Sequence, residues 1–118
     1  MAYVDGFVIP IPKKNMKAYL KMARQGLRIW RKHGALDYKE CVADDFEPAG
    51  MPATFPKMAR LKAGETVVFA YIVYRNRKHR DSVNKKVMKE MTLQGGPPKD
   101  MPFDMKRMAC AGFKVVVG

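Results

Sequence analysis

Asp5 stands in an otherwise apolar run, Tyr3-Val-Asp-Gly-Phe-Val8, and is the residue most suggestive of chemistry. A carboxylate held in such a strand loses hydration, so its pKa rises toward the range of a general acid or base. Asp5 also has a purely structural reading, as an acceptor of backbone N–H bonds or as the partner of Arg107. His33 is the second candidate catalyst, and it closes a helix, where an imidazole also complements the dipole. Asp104 and Arg107 flank the turn into the last strand, and the expectation is a charge-assisted pair between them rather than a ligand carboxylate on the arginine. No metal site and no cofactor are expected. The chain has two cysteines, Cys41 and Cys110, without a Cys-x-x-Cys, and two well-separated histidines, His33 and His79. Both thiols are expected to be free and buried, in a reducing compartment.

The element that must position these groups is the run Thr66 to Tyr74, which carries no charge. Its alternating sets, Val67/Phe69/Tyr71/Val73 and Val68/Ala70/Ile72/Tyr74, are both apolar, so the strand is central and buried on two faces. The helices of so small a domain can cover one face. The other needs a second copy of the chain or a ligand.

A first strand is expected over residues 3–11, with a bulge or a close backbone approach at Asp5-Gly6 and a stop at Pro10 and Pro12. Residues 13–33 form the clearest helix: Met16, Tyr19, Leu20, Ala23, Leu27 and Trp30 make one apolar stripe. Lys17, Lys21, Arg24, Arg28 and Arg31 recur on the opposite side, and no acidic residue falls between Lys13 and His33. Gly34 stops the helix. A more polar edge strand follows over 36–44, then a long loop over 45–63 with a short helical turn near Lys57 to Leu61. After Tyr74 a second helix runs to about Met91 with Val83, Val87 and Met91 inward. A loop carries Gly95-Gly96-Pro97-Pro98 and Met101 to Asp104, and the last strand spans 106–116.

At 118 residues the chain is one domain, 1–118, able to build a core without disulfides. Its net charge of +12 predicts attraction to polyanions or simply a solvated basic exterior. The N-terminus lacks a basic stretch followed by an apolar one, and no apolar run approaches the roughly 20 residues of a membrane span. A cytoplasmic protein with no membrane partner is expected. The ten methionines suit adaptable packing at interfaces and pockets.

The order βαββαβ predicts an α+β, ferredoxin-like fold: an antiparallel sheet ordered 4-1-3-2 with both helices on one face. That order places Cys41 and Cys110 roughly 14 Å apart, too far for a disulfide. Along its whole length the chain also resembles the YbaA-like family of small uncharacterised bacterial proteins. The resemblance rests on Tyr3 to Val8, Gly34-Ala-Leu36, Cys41, Glu65-Thr-Val-Val-Phe69, Arg80-Asp81, Met101-Pro-Phe-Asp104, Lys106-Arg107-Met108 and Gly112-Phe113. It implies a dimeric α/β barrel in which two such sheets face each other, a homodimer through the sheet face. A second, local resemblance links Val67 to Tyr74 to the strand-three motif of RNA-recognition domains, through Phe69, Ala70, Tyr71, Ile72 and Tyr74. Val67 and Val68 stand where that motif has its basic-glycine pair.

Larger relatives of the barrel superfamily, similar in fold alone, place their sites between sheet and helices. The residues expected to line such a cleft are Tyr3, Asp5, Trp30, His33, Tyr71, Asp81, Asp104 and Arg107. The leading reading is a homodimer that binds a small apolar or carboxylated metabolite there, its activity unnamed. One alternative is a nucleic-acid-binding protein, RNA included, using Lys17, Lys21, Arg24, Arg28 and Arg31. The other is a cofactor-independent monooxygenase-like enzyme acting on an oxidisable aromatic.

Overall fold

The structure is a computed structural model and describes residues 1–118. Strand β1 spans Tyr3–Pro12, and a single 3-10 turn leads from it into helix α1, Met16–Lys32. Strand β2 (Asp37–Val42), the short helix α2 (Phe55–Met58) and strand β3 (Glu65–Tyr74) follow. Helix α3 (Arg77–Leu93) and strand β4 (Ala109–Lys114) complete the chain. The sheet is antiparallel throughout, ordered β2-β3-β1-β4, which is the expected 4-1-3-2 read from the other edge. No helix is long and apolar enough to cross a membrane.

Side-chain alternation sorts the sheet into two faces. Ile9 and Ile11 of β1 and Val68, Ala70, Ile72 and Tyr74 of β3 are buried under the helices. Tyr19 and Ala23 of α1 pack on one half of that face, Val83 and Val87 of α3 on the other. Each valine or isoleucine among them taken fully from water stabilises the fold by about 1.5–3 kcal/mol. The opposite face carries Phe69, Tyr71 and, across β1 on strand β4, Phe113; Phe69 and Phe113 are 42% and 56% exposed. No element of the chain lies over their rings to bury them.

Several local expectations shift. The ladder runs through Asp5↔Ile72 and Gly6↔Tyr71 without a slip, so β1 has no bulge there. The close approach is a side chain's: a Cβ on Gly6 would come within 3.2 Å of the Phe113 ring. Pro10 and Pro12 sit inside the strand's end instead of before it, past Val8↔Ala109, where the β4 ladder stops and a missing donor costs little. The short helix starts earlier than expected because Thr54 caps it, its Oγ1 accepting from the Lys57 N–H at 3.3 Å. Strand β4 starts later because Asp104 caps a 3-10 turn over Met105–Arg107. Gly34 does end α1, at φ +110°. The two thiols are free but exposed, correcting the expectation of burial. Cys41 pairs with Phe69 on the open face and Cys110 with Phe7 on the helix face.

Candidate functional site

Between the covered sheet face and the two helices lies a cavity of about 650 Å³. Six methionines line it: Met22 from α1, Met88 and Met91 from α3, and Met101, Met105 and Met108 from the segment entering β4. Methionines fill irregular space without fixing its shape, so the wall adapts to an occupant. The polar groups gather at two ends.

At the β1 end the Asp5 carboxylate, 6% exposed, points from the strand toward α3. Arg80 and Asn84, one helical turn apart, meet it: Arg80 Nη1 lies 3.4 Å from Oδ1, and Asn84 Nδ2 donates to Oδ2 at 3.5 Å. Both distances are long for charge-assisted bonds, so the carboxylate keeps acceptor capacity to spare. Burial raises the Asp5 pKa, and the Arg80 charge and the Asn84 amide only partly offset it. Asn84 in turn is held by Trp30 Nε1–H and Tyr74 O–H, which both donate to its Oδ1 at 3.1 Å. Burial likewise raises the Tyr74 phenol, keeping it a donor. Arg80 Nη2 donates to the Tyr3 hydroxyl at 3.2 Å, and its guanidinium carbon sits 5.0 Å from the centre of the Tyr3 ring. Its Nε lies 3.0 Å from Asp81 Oδ1 but at an angle that makes no hydrogen bond, leaving that buried N–H without an acceptor.

At the β2 end Glu40 faces α1, where Tyr19 donates to Oε1 at 2.6 Å and Tyr38 to Oε2 at 2.8 Å. Burial, reinforced by the carboxylate, raises both phenol pKa values, so each remains a proton donor to Glu40.

Asp5 and Trp30 line the cavity as anticipated, while Tyr3 and Asp81 touch it only through Arg80. The other anticipated residues lie elsewhere. His33 Nε2 sits 3.0 Å from Glu90 Oε1, in an α1–α3 clasp that Lys32 shares at 2.7 Å. Tyr71 is on the open sheet face, since alternation puts it with Phe69 and opposite to Ala70 and Ile72. The expected Asp104–Arg107 pair does not form. Asp104 Oδ1 instead accepts from the Lys106 N–H at 2.9 Å. Arg107 clamps Glu65 at 2.6 and 2.9 Å and the Arg60 carbonyl at 2.9 Å, tying the 45–63 loop to the sheet. Lys17, Lys21, Arg24, Arg28 and Arg31 are all exposed, and of these only Arg31 has a carboxylate within reach, Asp37 at 3.8 Å.

Sequence reasoning missed Arg80, Asn84, Glu40 and the donor roles of Tyr19 and Tyr38. The available signal was spacing: Arg80 and Asn84 share a helix face, and Tyr38 and Glu40 alternate onto one strand face with Val42.

A family model described as "Protein of unknown function (DUF1428)" matches residues 2–105. The chain is 36% identical over 117 residues to the uncharacterized protein YbaA of Escherichia coli K12, covering 99% of this chain and 98% of that one. The same figures hold for YbaA of Escherichia coli O157:H7 and of Shigella flexneri. Among solved structures, the de novo designed protein Foldit4 superposes over 98% of this chain and 99% of its own, with a TM-score of 0.47 and 9% identity.

Proposed function

The chain belongs to the DUF1428 family of proteins of unknown function, and for this member we propose the binding of a small, mainly apolar molecule in the cavity, with a polar group of that molecule set against Asp5. The observation that carries the reading is a methionine-walled cavity of about 650 Å³ with a buried carboxylate at one end. That volume lies in the range of small-molecule sites, which combine an apolar lining with a few placed polar groups. Asp5 is equipped to exchange a proton with the occupant, because burial favours its neutral form while Arg80 and Asn84 stabilise the charged one. The leading class is therefore ligand binding with acid–base capability at Asp5.

We place this site in a homodimer closed across the open sheet face. Phe69, Tyr71 and Phe113 form an apolar surface there, and a second copy packed about 10 Å away buries both. The free, exposed thiols fit a reducing, cytoplasmic setting.

The chain holds one tryptophan, Trp30, and it lines the cavity, so intrinsic fluorescence reads occupancy directly. With the uncharged dye N-phenyl-1-naphthylamine as probe, Trp30 emission is expected to be quenched by energy transfer at one dye per chain. A folded Ala70→Phe variant, whose ring fills the cavity, is expected to lose that signal. Dye fluorescence that rises equally in both proteins, with Trp30 emission unchanged, places the dye elsewhere and overturns the reading.

A further inference from the structure

Glu40 is a carboxylate without a cation in a chain that carries a net charge of +12. No lysine, arginine or histidine nitrogen lies within ion-pair distance of it. Its neighbour Lys39 is turned to the other face and bound to Asp37 Oδ1 at 2.6 Å. The phenols of Tyr19 and Tyr38 take one acceptor site on each oxygen, at 2.6 and 2.8 Å, out of about four that a carboxylate offers. The charge is thus held in place from the protein side and left uncompensated on the cavity side.

Its surroundings are aromatic. Tyr19, Trp30 and Tyr38 line the same cavity, with the Trp30 and Tyr38 rings 6.0 Å apart and tilted by 44°. Phe103 stands edge-on to Tyr19 at 5.7 Å. Ring faces attract cations electrostatically, and the attraction grows where water is scarce. A carboxylate among such rings is a receptor for an ammonium group.

The backbone carries independent support. Gly26 sits in the middle of α1, where glycine costs about 1 kcal/mol relative to alanine. A Cβ there would lie 2.6 Å from the Tyr38 hydroxyl oxygen, too close for the phenol to stay in place. The helix tolerates its glycine so that Tyr38 can reach Glu40.

We propose that the β2 end of the cavity is an ammonium site, in which Glu40, Tyr19, Tyr38 and Trp30 receive the cationic head of an organic amine whose apolar body lies along the methionine wall. This rests on the reading of the cavity as a ligand site and narrows the ligand to amphiphilic amines. The basic exterior then attracts anions while the interior selects a cation.

The probes are 2-phenylethylammonium and 2-phenylethanol, which share an apolar body and differ in head-group charge, titrated calorimetrically at low salt and neutral pH. The ammonium is expected to bind about tenfold more tightly than the alcohol in the wild type. Glu40→Gln keeps an acceptor for the phenols and is expected to bring the two affinities within about twofold while leaving the alcohol's unchanged. Gly26→Ala, which displaces the Tyr38 phenol without removing the carboxylate, is expected to reduce the preference part-way. Equal affinities in the wild type overturn the ammonium site and leave the cavity reading standing. So does failure of both probes when the uncharged naphthylamine dye still quenches Trp30. If the dye fails as well, both inferences fall.

Discussion

Strand β3 presents two faces one residue apart, and they have opposite physical characters. Val68, Ala70, Ile72 and Tyr74 are no more than 5% exposed, and Ala70 and Ile72 floor a cavity with charged groups at its ends. Phe69 beside them is 42% exposed, on the face that the helices leave bare. Both sets are apolar, so composition cannot distinguish them; what separates them is whether the chain's own helices lie above. The covered face spends its apolar character on folding and on enclosing a site. The open one leaves Phe69 and Phe113 to solvent.

The sharpest test of that contrast places one substitution on adjacent residues. Val68→Lys buries an unpaired ammonium under α1 and is expected to destabilise the chain by about 4 kcal/mol or more, leaving it unfolded by circular dichroism. Phe69→Lys is expected to leave the spectrum native while sedimentation shifts from dimer to monomer. A folded Val68→Lys, or a Phe69→Lys protein that stays dimeric, breaks the distinction between the faces.

A smaller effect separates two carboxylates on this sheet by the sign of their pH dependence. Glu65 is held to about 2 by the Arg107 guanidinium, well below its ordinary 4.5. Its stabilisation is complete above 4.5 and fades as pH falls toward 2, so thermal melts of the wild type should lose midpoint across that window. Arg107→Ala should melt lower at neutral pH and lack that part of the acid slope. Asp5 runs the other way. Its pKa is raised from 3.8 in the folded chain, so its contribution is fullest below 3.8 and declines as pH rises through the folded value.

The smallest expected change is therefore in Asp5→Asn. The variant should fold, with a melting temperature that varies less than the wild type's above pH 3.8. Its affinity for a cavity ligand should become flat over the pH range in which the wild type's varies. An unaltered wild-type-like pH profile removes Asp5 from proton exchange with the ligand.

The fold was legible because it rests on local patterns: the 3.6-residue stripe of α1, the charge-free β3, and the order of elements. The placement of Asp5 and Trp30 beside one cavity was legible for the same reason, since each faces inward by periodicity. The partners of Asp5 were not. Arg80 and Arg107 are equivalent as residue types, and only the packing of α3 over β1 decides that Arg80 meets Asp5 while Arg107 reaches Glu65. Tyr71 went astray for a different reason: it alternates with Phe69 onto the face expected to stay bare of helices, and a residue there cannot also line a cleft beneath them. Glu40 looked like an ordinary polar residue of an edge strand, and its phenol donors are Tyr38, two residues away on the same strand, and Tyr19 on α1, which only the packing of helix on sheet brings to it.

The exposed thiols turn the two faces into separately addressable surfaces. Cys41 lies beside Phe69 on the open side, and Cys110 lines the cavity opposite Phe7. The molecule thus carries one reactive tag per face, and no cysteine needs to be introduced. A second copy seated on Phe69, as proposed, would shield Cys41, so alkylation there tests that association. A ligand in the cavity, as proposed, would stand between the Cys110 thiol and the reagent, so alkylation there tests occupancy. Mass spectrometry of a single labelling reaction then reads assembly and binding as independent channels.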